Sequence, residues 1–228
     1  GGSPNAHELA GRFANVVVGA TFTIDDARAQ RKAFRDAAKR YSRDPDEIKF
    51  FAGLMTTSAK DRRTALDRRI QLTESNFPER VAYLQRMLGI PLDINRLNEP
   101  LNQAQLTNAR PSPYDPRSAH ALKIAKEGWS LRDIIAHGII DYHPVIVGPG
   151  VEAADHMQEW FEAGAVDGFW ITPDVNADGI DAFVDEVVPI LKQRGLFHED
   201  YEGETFRANL GVPDQYGIDP RIMNHKNK

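Results

Sequence analysis

Apolar positions along this chain recur with two different spacings, and the alternation between them predicts an α/β fold. Residues 151–210 carry the clearest signal. Val151, Ala154, Met157, Trp160 and Phe161 fall on one helical face, which Gly164 ends. Asp167, Gly168, Phe169, Trp170 and Ile171 follow as a short, mostly apolar run closed by Pro173, the pattern of a strand. From about Gly179 a second helical stripe begins, built of Ile180, Phe183, Val184, Val187, Val188 and Leu191, and it closes at Gly195. A helix–strand–helix unit with a polar loop after the strand is the building block of parallel α/β folds.

The front of the chain repeats the theme. Pro4 to Asn15 reads as a helix capped by Ser3, with Ala6, Leu9, Ala10 and Phe13 facing inward. Val16-Val17-Val18 is a β-branched run of the kind found in strands covered on both faces. Thr23 caps a helix running to about Tyr41, and Ile48 to Thr57 reads as a strand interrupted by Gly53. Charged Ala59–Leu72 and then Pro78–Leu88 read as helices. Between Gly89 and Tyr114 periodicity fades into an excursion too long for an ordinary connection, hence either functional or disordered. Two short helices are expected over Ser118–Glu127 and Ser130–Ile140, and His143 to Gly148 forms a brief apolar run. Three barrel-type strands emerge, followed by a tail over 196–228 that packs before fraying at Asn224–Lys228.

Composition narrows the options. With 228 residues, 41% of them hydrophobic, the chain is long enough for a sizeable core. A net charge of −5 without a basic face argues against nucleic acid as a partner. No window reaches the roughly 18 apolar residues of a membrane span, so no membrane partner is expected. The absence of cysteine excludes disulfides and thiolate chemistry within this chain and fits a cytoplasmic location. The seven histidines include no i, i+4 pair of the zinc-hydrolase type, so no metal is expected.

Two places suit chemistry. Gly2-Ser3 precedes a helix whose free N–H groups and positive dipole end favour an anion, and Ser3 adds a hydroxyl. With Pro4 lacking an N–H, the donors there are Ser3 and the amides of Asn5 and Ala6; plain helix capping is the competing reading. The C-terminal ends of the strands supply Thr21 and Phe22, Met55 and Thr56, and Trp170 and Thr172. These would wall or hydrogen-bond a ligand, or simply fill core and cap positions. His143 is a weaker substrate candidate beside them, and Asp155-His156 reads as solvent-facing. No nucleophile elbow, P-loop or Rossmann fingerprint is present, and no catalytic residue can be named.

Three runs, ADHMQEWFEAGAVDGFWI, FVDEVVPILKQRGLF and YEGETFRANLGV, resemble the C-terminal end of the bacterial-luciferase-like flavin monooxygenases. Within them the similarity is to the subgroup of nitrilotriacetate, dibenzothiophene-sulfone and long-chain-alkane monooxygenases. The opening GGSPNAHELAGRFANVVVGATFT resembles that family's glycine-serine phosphate loop, with Gly2 standing where the family has its first serine. The resemblance implies the C-terminal portion of a TIM (β/α)8 barrel. Residues 1–86 would be βα units opening on the phosphate loop, 87–145 a lid-like insertion, 146–195 the last βα unit and 196–228 the tail. It implies reduced FMN, its phosphate held at the loop of Gly2 and Ser3 with the Asn5 amide beside them, and O2 as co-substrate; the strand-end residues Trp170 and Thr172, with His143, are then the candidates for contact with a small organic substrate. It further implies a separate NAD(P)H:FMN reductase and a homo-oligomeric whole protein, with the isolated chain inactive. A deazaflavin oxidoreductase on the same barrel and a non-catalytic half-barrel interaction module are the alternatives.

Overall fold

The computed structural model describes residues 2–215 and divides them between two compact units. Asn224–Lys228, where fraying is expected, lie outside the described residues.

Among the described residues, the first unit comprises residues 2–53, 158–170 and 194–215. Helix α1 spans Pro4–Phe13, and Ser3 caps it by accepting a hydrogen bond from the Ala6 amide at 3.2 Å. Strand β1 is Val16–Gly19, and helix α2, Ile24–Arg40, starts from a Thr23 cap with Asp25 and Asp26 in its first turn and Lys39 and Arg40 in its last. Both sets of charges complement the helix dipole. α1 lies so close to α2 that a Cβ at Gly11 would stand 2.7 Å from the Ala37 backbone. β1 runs parallel to the first part of strand β2 (Lys49–Ser58), in register from Val16↔Lys49 to Gly19↔Ala52. Phe34, Ile48, Phe50, Trp160 and Val166 form the core of this unit.

Gly19 faces that core directly, since a Cβ there would lie 2.4 Å from the Phe50 ring. Overpacking of this kind costs typically 1–3 kcal/mol. Gly19→Ala is therefore expected to lower stability by about 2 kcal/mol, measured by urea denaturation; an unchanged midpoint would show that Phe50 moves freely.

Asp167 ties the unit together. Its carboxylate accepts two hydrogen bonds from Arg31 (2.6 and 3.1 Å), one from Arg35 (3.3 Å) and one from the Phe50 amide (2.9 Å). Its own amide donates to the Phe50 carbonyl at 2.8 Å. The tail contributes a short helix, Phe206–Asn209, from which Arg207 reaches Asn15 Oδ1 at 2.8 Å.

The second unit comprises residues 54–157 and 171–193. Here the later part of β2 pairs in parallel with strand β3, Val145–Gly148, from Met55↔Val145 to Ser58↔Gly148. β3, inside the brief apolar run from His143 to Gly148, is a fourth strand where the apolar pattern indicated three. Helix α3 (Arg62–Thr73) begins at an Asp61 cap, and α4 (Phe77–Leu88) ends at Gly89 with φ +65°. The expected irregular excursion is ordered: α5 (Gln103–Asn108) carries a reciprocal Asn102–Gln105 capping box. Ile90, Leu101 and Ala109 anchor the excursion in the same core as Leu66, Leu84, Leu88, Ile134 and Ile135. Helices α6 (Pro116–Lys126) and α7 (Leu131–Ala136) pack onto this core as well.

Helix α8 (Gly150–Glu162) follows β3, and strand β4 (Gly168–Pro173) pairs with β2. The stripe from Ile180 to Leu191 is split into α9 (Asp178–Glu186) and α10 (Val188–Gln193). Pro189 causes the break, having no N–H to donate and a ring that blocks the preceding turn. Several residues expected inside are not: Leu9, Val151 and Phe161 are exposed, and Val16–Val18 are only half-buried.

Candidate functional site

The N-terminus of α1 is open to solvent, with Gly2, Ser3 and Asn5 all exposed. Ser3 Oγ already accepts from the Ala6 amide, so that amide is used in capping and does not remain as an anion donor. The Ser3 hydroxyl hydrogen and the Asn5 amide remain the donors from the expected set. A Cβ at Gly2 would meet nothing closer than Gln30 Nε2 at 3.7 Å, leaving room for an anion to approach the backbone.

Gln30 was not legible in the sequence as a site residue. Its carboxamide lies beside Gly2 and also beside Gly19, where its Oε1 would stand 3.0 Å from an added Cβ. The α1 N-terminus and the C-terminal end of β1 thus converge on one side chain of α2. Just past β1, Thr21 is buried with its hydroxyl lacking a hydrogen-bond partner, the state of a group placed to meet a ligand or to tolerate strain. His7 packs its ring edge-on to Phe34 at 4.8 Å, one turn into α1.

The other expected residues are dispersed. Trp170 projects from β4 and is 56% exposed. Thr172 is half-buried further along the same strand, and its neighbour Asp174 donates its amide to the Thr56 carbonyl at 3.0 Å. His143 is buried on the segment that enters β3, its ring tilted against Tyr142 at 4.6 Å. Burial pushes its pKa below the usual histidine range, so the ring is neutral at pH 7. His156 departs from the solvent-facing expectation: it is half-buried and burial pushes its pKa down to about 4.

Asp174 forms a second cluster that sequence spacing could not reveal. Arg68 of α3 grips its carboxylate through Nε at 2.6 Å and Nη2 at 3.0 Å, and reaches Asp178 at 3.3 Å. Asp174 also accepts from the Val175 amide at 2.9 Å, and its side chain is 1% exposed. The loop following β4 is therefore fixed by a charged clamp, which suits a strand end required to hold its geometry. Among the described residues no group of three or more His, Asp or Glu is arranged to hold a metal, and no helix is long and apolar enough to cross a membrane.

Comparison with known proteins decides the family. The family described as luciferase-like monooxygenase matches residues 1–167. The chain belongs to this family. N-acetyl-S-(2-succino)cysteine monooxygenase of Bacillus subtilis (strain 168) is 31% identical over 218 residues, which are 93% of this chain and 48% of that enzyme. Dibenzothiophene-sulfone, nitrilotriacetate and long-chain alkane monooxygenases are among the other relatives. The EDTA monooxygenase structure from Chelativorans sp. BNC1 is similar with a TM-score of 0.67 and 25% identity, covering 93% of this chain and 50% of that one. A riboflavin lyase structure containing modified FMN and riboflavin is similar at 25% identity and a TM-score of 0.61, covering 93% of this chain and 46% of that one. The chain spans about half the length of the curated relatives it matches. Its α/β fold with parallel strand pairing is that of part of a luciferase-like TIM barrel.

Proposed function

We propose that the whole protein is a two-component monooxygenase that takes reduced FMN from a separate NAD(P)H-dependent reductase and inserts one atom of O2 into a small organic substrate. The observation that carries this reading is the exposed N-terminus of α1, where Gly2, Ser3 and Asn5 offer backbone and hydroxyl donors to the FMN phosphate. Gln30 stands beside Gly2 and adds a carboxamide to the same place. When bound, the flavin supplies the oxygen-activating chemistry. The protein's share is to hold the phosphate, fix the flavin's orientation and keep water out. Trp170, Thr172 and His143 are the proposed substrate-side residues, with 87–145 as the insertion that shapes access. A cytoplasmic location and homo-oligomeric assembly belong to the same proposal.

The test is a calorimetric FMN titration of the whole protein carrying Ser3→Ala. Losing a hydrogen bond to a charged phosphate is worth roughly 1.5–3 kcal/mol, reduced by the solvent exposure of Ser3. An affinity loss of about 1–2 kcal/mol is therefore expected, or roughly 5- to 30-fold. Because Ser3 also caps α1, the melting temperature of the variant is measured alongside. Unchanged FMN affinity would sink the phosphate assignment.

A further inference from the structure

The second unit holds a cavity of about 190 Å3, and none of the residues assigned above to flavin or substrate lines it. Its floor is apolar: Leu101 and Leu131 are buried members of the unit's core, and Leu92 packs half-buried against that core. Its mouth is charged, with Asp93, Arg96 and Glu99 all exposed. The space is that of roughly six water molecules, enough for an aliphatic side chain and too small for a flavin. An apolar lining with a few convergent polar groups is the composition of a small-molecule site.

The walls are in place without a ligand. Leu131 donates its amide to the Glu99 carbonyl at 2.9 Å, and Arg132 donates to the Leu97 carbonyl at 2.8 Å. Pro100 bridges to Ser130, and Gln105 Nε2 donates to the Pro91 carbonyl at 3.1 Å. Pro91 and Pro100, both in the lining, have φ fixed by their rings. A site built in advance loses little entropy when it is filled.

The charged groups of the mouth are only partly used. Arg96 donates through Nε (2.9 Å) and Nη2 to a single oxygen, Glu99 Oε2. Asp93 accepts from the Asn95 amide and side chain through Oδ1 alone. Among the described residues, Arg96 Nη1, Glu99 Oε1 and Asp93 Oδ2 have no partner. The hydrogen bond from Arg96 holds the Glu99 carboxyl below the usual carboxylate range, against a smaller push from the Asp93 charge. The Arg96–Glu99 pair is 55% and 52% exposed, and a pair so exposed contributes little to folding.

We propose that this cavity binds a free α-amino acid with an apolar side chain of about leucine's size. The carboxylate meets Arg96 Nη1, the ammonium group is shared by Glu99 Oε1 and Asp93 Oδ2, and the side chain fills the space over Leu101 and Leu131. Both signs of charge at one mouth select a ligand that carries both. A bare carboxylate would face two acids, and a bare amine would face the guanidinium. A wholly apolar molecule would cover the unused polar atoms and give them no partner.

The experiment titrates the protein with L-leucine and with two analogues of it, by calorimetry and without FMN, so that its outcome is independent of the flavin reading. 4-Methylpentanoate lacks the ammonium group, and 3-methylbutylamine lacks the carboxylate. Leucine is expected to bind with a Kd of about 1 mM or tighter, and each analogue at least about tenfold more weakly. Arg96→Gln is expected to weaken leucine binding about tenfold without weakening the amine. Glu99→Gln is expected to weaken leucine and the amine together and to spare the acid. Both variants should melt with the wild type, because the pair they break is exposed, so a lost affinity is not a lost fold. Absence of binding by leucine, valine and phenylalanine alike would overturn the proposal. Equal affinity for leucine and both analogues would overturn it too, by making the cavity an unselective apolar hollow. So would wild-type leucine affinity in both variants, which would put the binding elsewhere.

Discussion

Asp167→Ala is expected to destabilise the chain by about 3–5 kcal/mol, the cost of removing one partner from a buried ion pair. Burial alone would push the Asp167 carboxyl up; the hydrogen bonds from Arg31 and the Phe50 amide, with the charges of Arg31 and Arg35, outweigh it and hold the group below the usual carboxylate range. Deleting the side chain would take from Arg31, 23% exposed, its ion-pair partner, while Arg35 would keep Asp46 at 2.8 Å. It would also orphan the Phe50 amide in the first strand pair of the unit. The loss is thus electrostatic and structural at once, because α2, β2 and the start of β4 all meet at this carboxylate. Asp167→Asn, which can still accept from the Phe50 amide, is expected to fall between wild type and alanine. Guanidinium denaturation measures both, and a loss below about 1 kcal/mol for alanine would mean that water replaces the carboxylate at no great cost.

Acidification from pH 7 to pH 4.5 is expected to destabilise the chain through its buried histidines. Burial lowers the pKa of His137, His143 and His156, the last from 6.5 to about 4. For His137 the hydrogen bond with the Asp133 carbonyl opposes that shift without cancelling it. A histidine with a depressed folded pKa is neutral in the native state while the unfolded chain takes up a proton. Stability is therefore full above the unfolded value near 6.5 and is lost as pH falls toward the folded value. For His156 alone the window runs from 6.5 down to about 4, and the loss approaches roughly 3 kcal/mol at its lower end. The arginine-paired carboxylates Asp115 and Asp167 have lowered pKa values and add their own loss at lower pH. Thermal melts across this range, repeated with His156→Gln, separate the two. If the glutamine variant shows the same slope between pH 6.5 and 4.5 as wild type, His156 is not the group responsible.

Local signals were strong where the sequence reading succeeded. Ser3, Thr23 and Ser130 cap their helices as read, because a cap is settled by the residue and its own next turn. The family too was legible, since ordered runs at both ends of the chain carried it. The reading failed where neighbours decide. Leu9 and Phe161 lie on apolar helical faces and are nonetheless exposed, because a period shows which face is apolar and not whether anything lies against it. Pro189 was visible all along, yet the strength of the surrounding stripe masked its effect on the helix. The Gly89–Tyr114 excursion looked structureless because its three buried anchors, Ile90, Leu101 and Ala109, follow no period.

By itself, then, the sequence determined most of the elements, the caps of Ser3, Thr23 and Ser130, the family and the glycine-serine start of α1. Each depends on residues close together in the chain or on an ordered run of them. Only the tertiary structure brought Arg31 and Arg35 to Asp167, Arg68 to Asp174, and Gln30 to both Gly2 and Gly19. The charged pairs lie more than 100 residues apart along the chain, and no spacing rule reaches that far. Pairing of this sort is decided by which helices the parallel strands carry past one another, and so it appears only once the chain is folded.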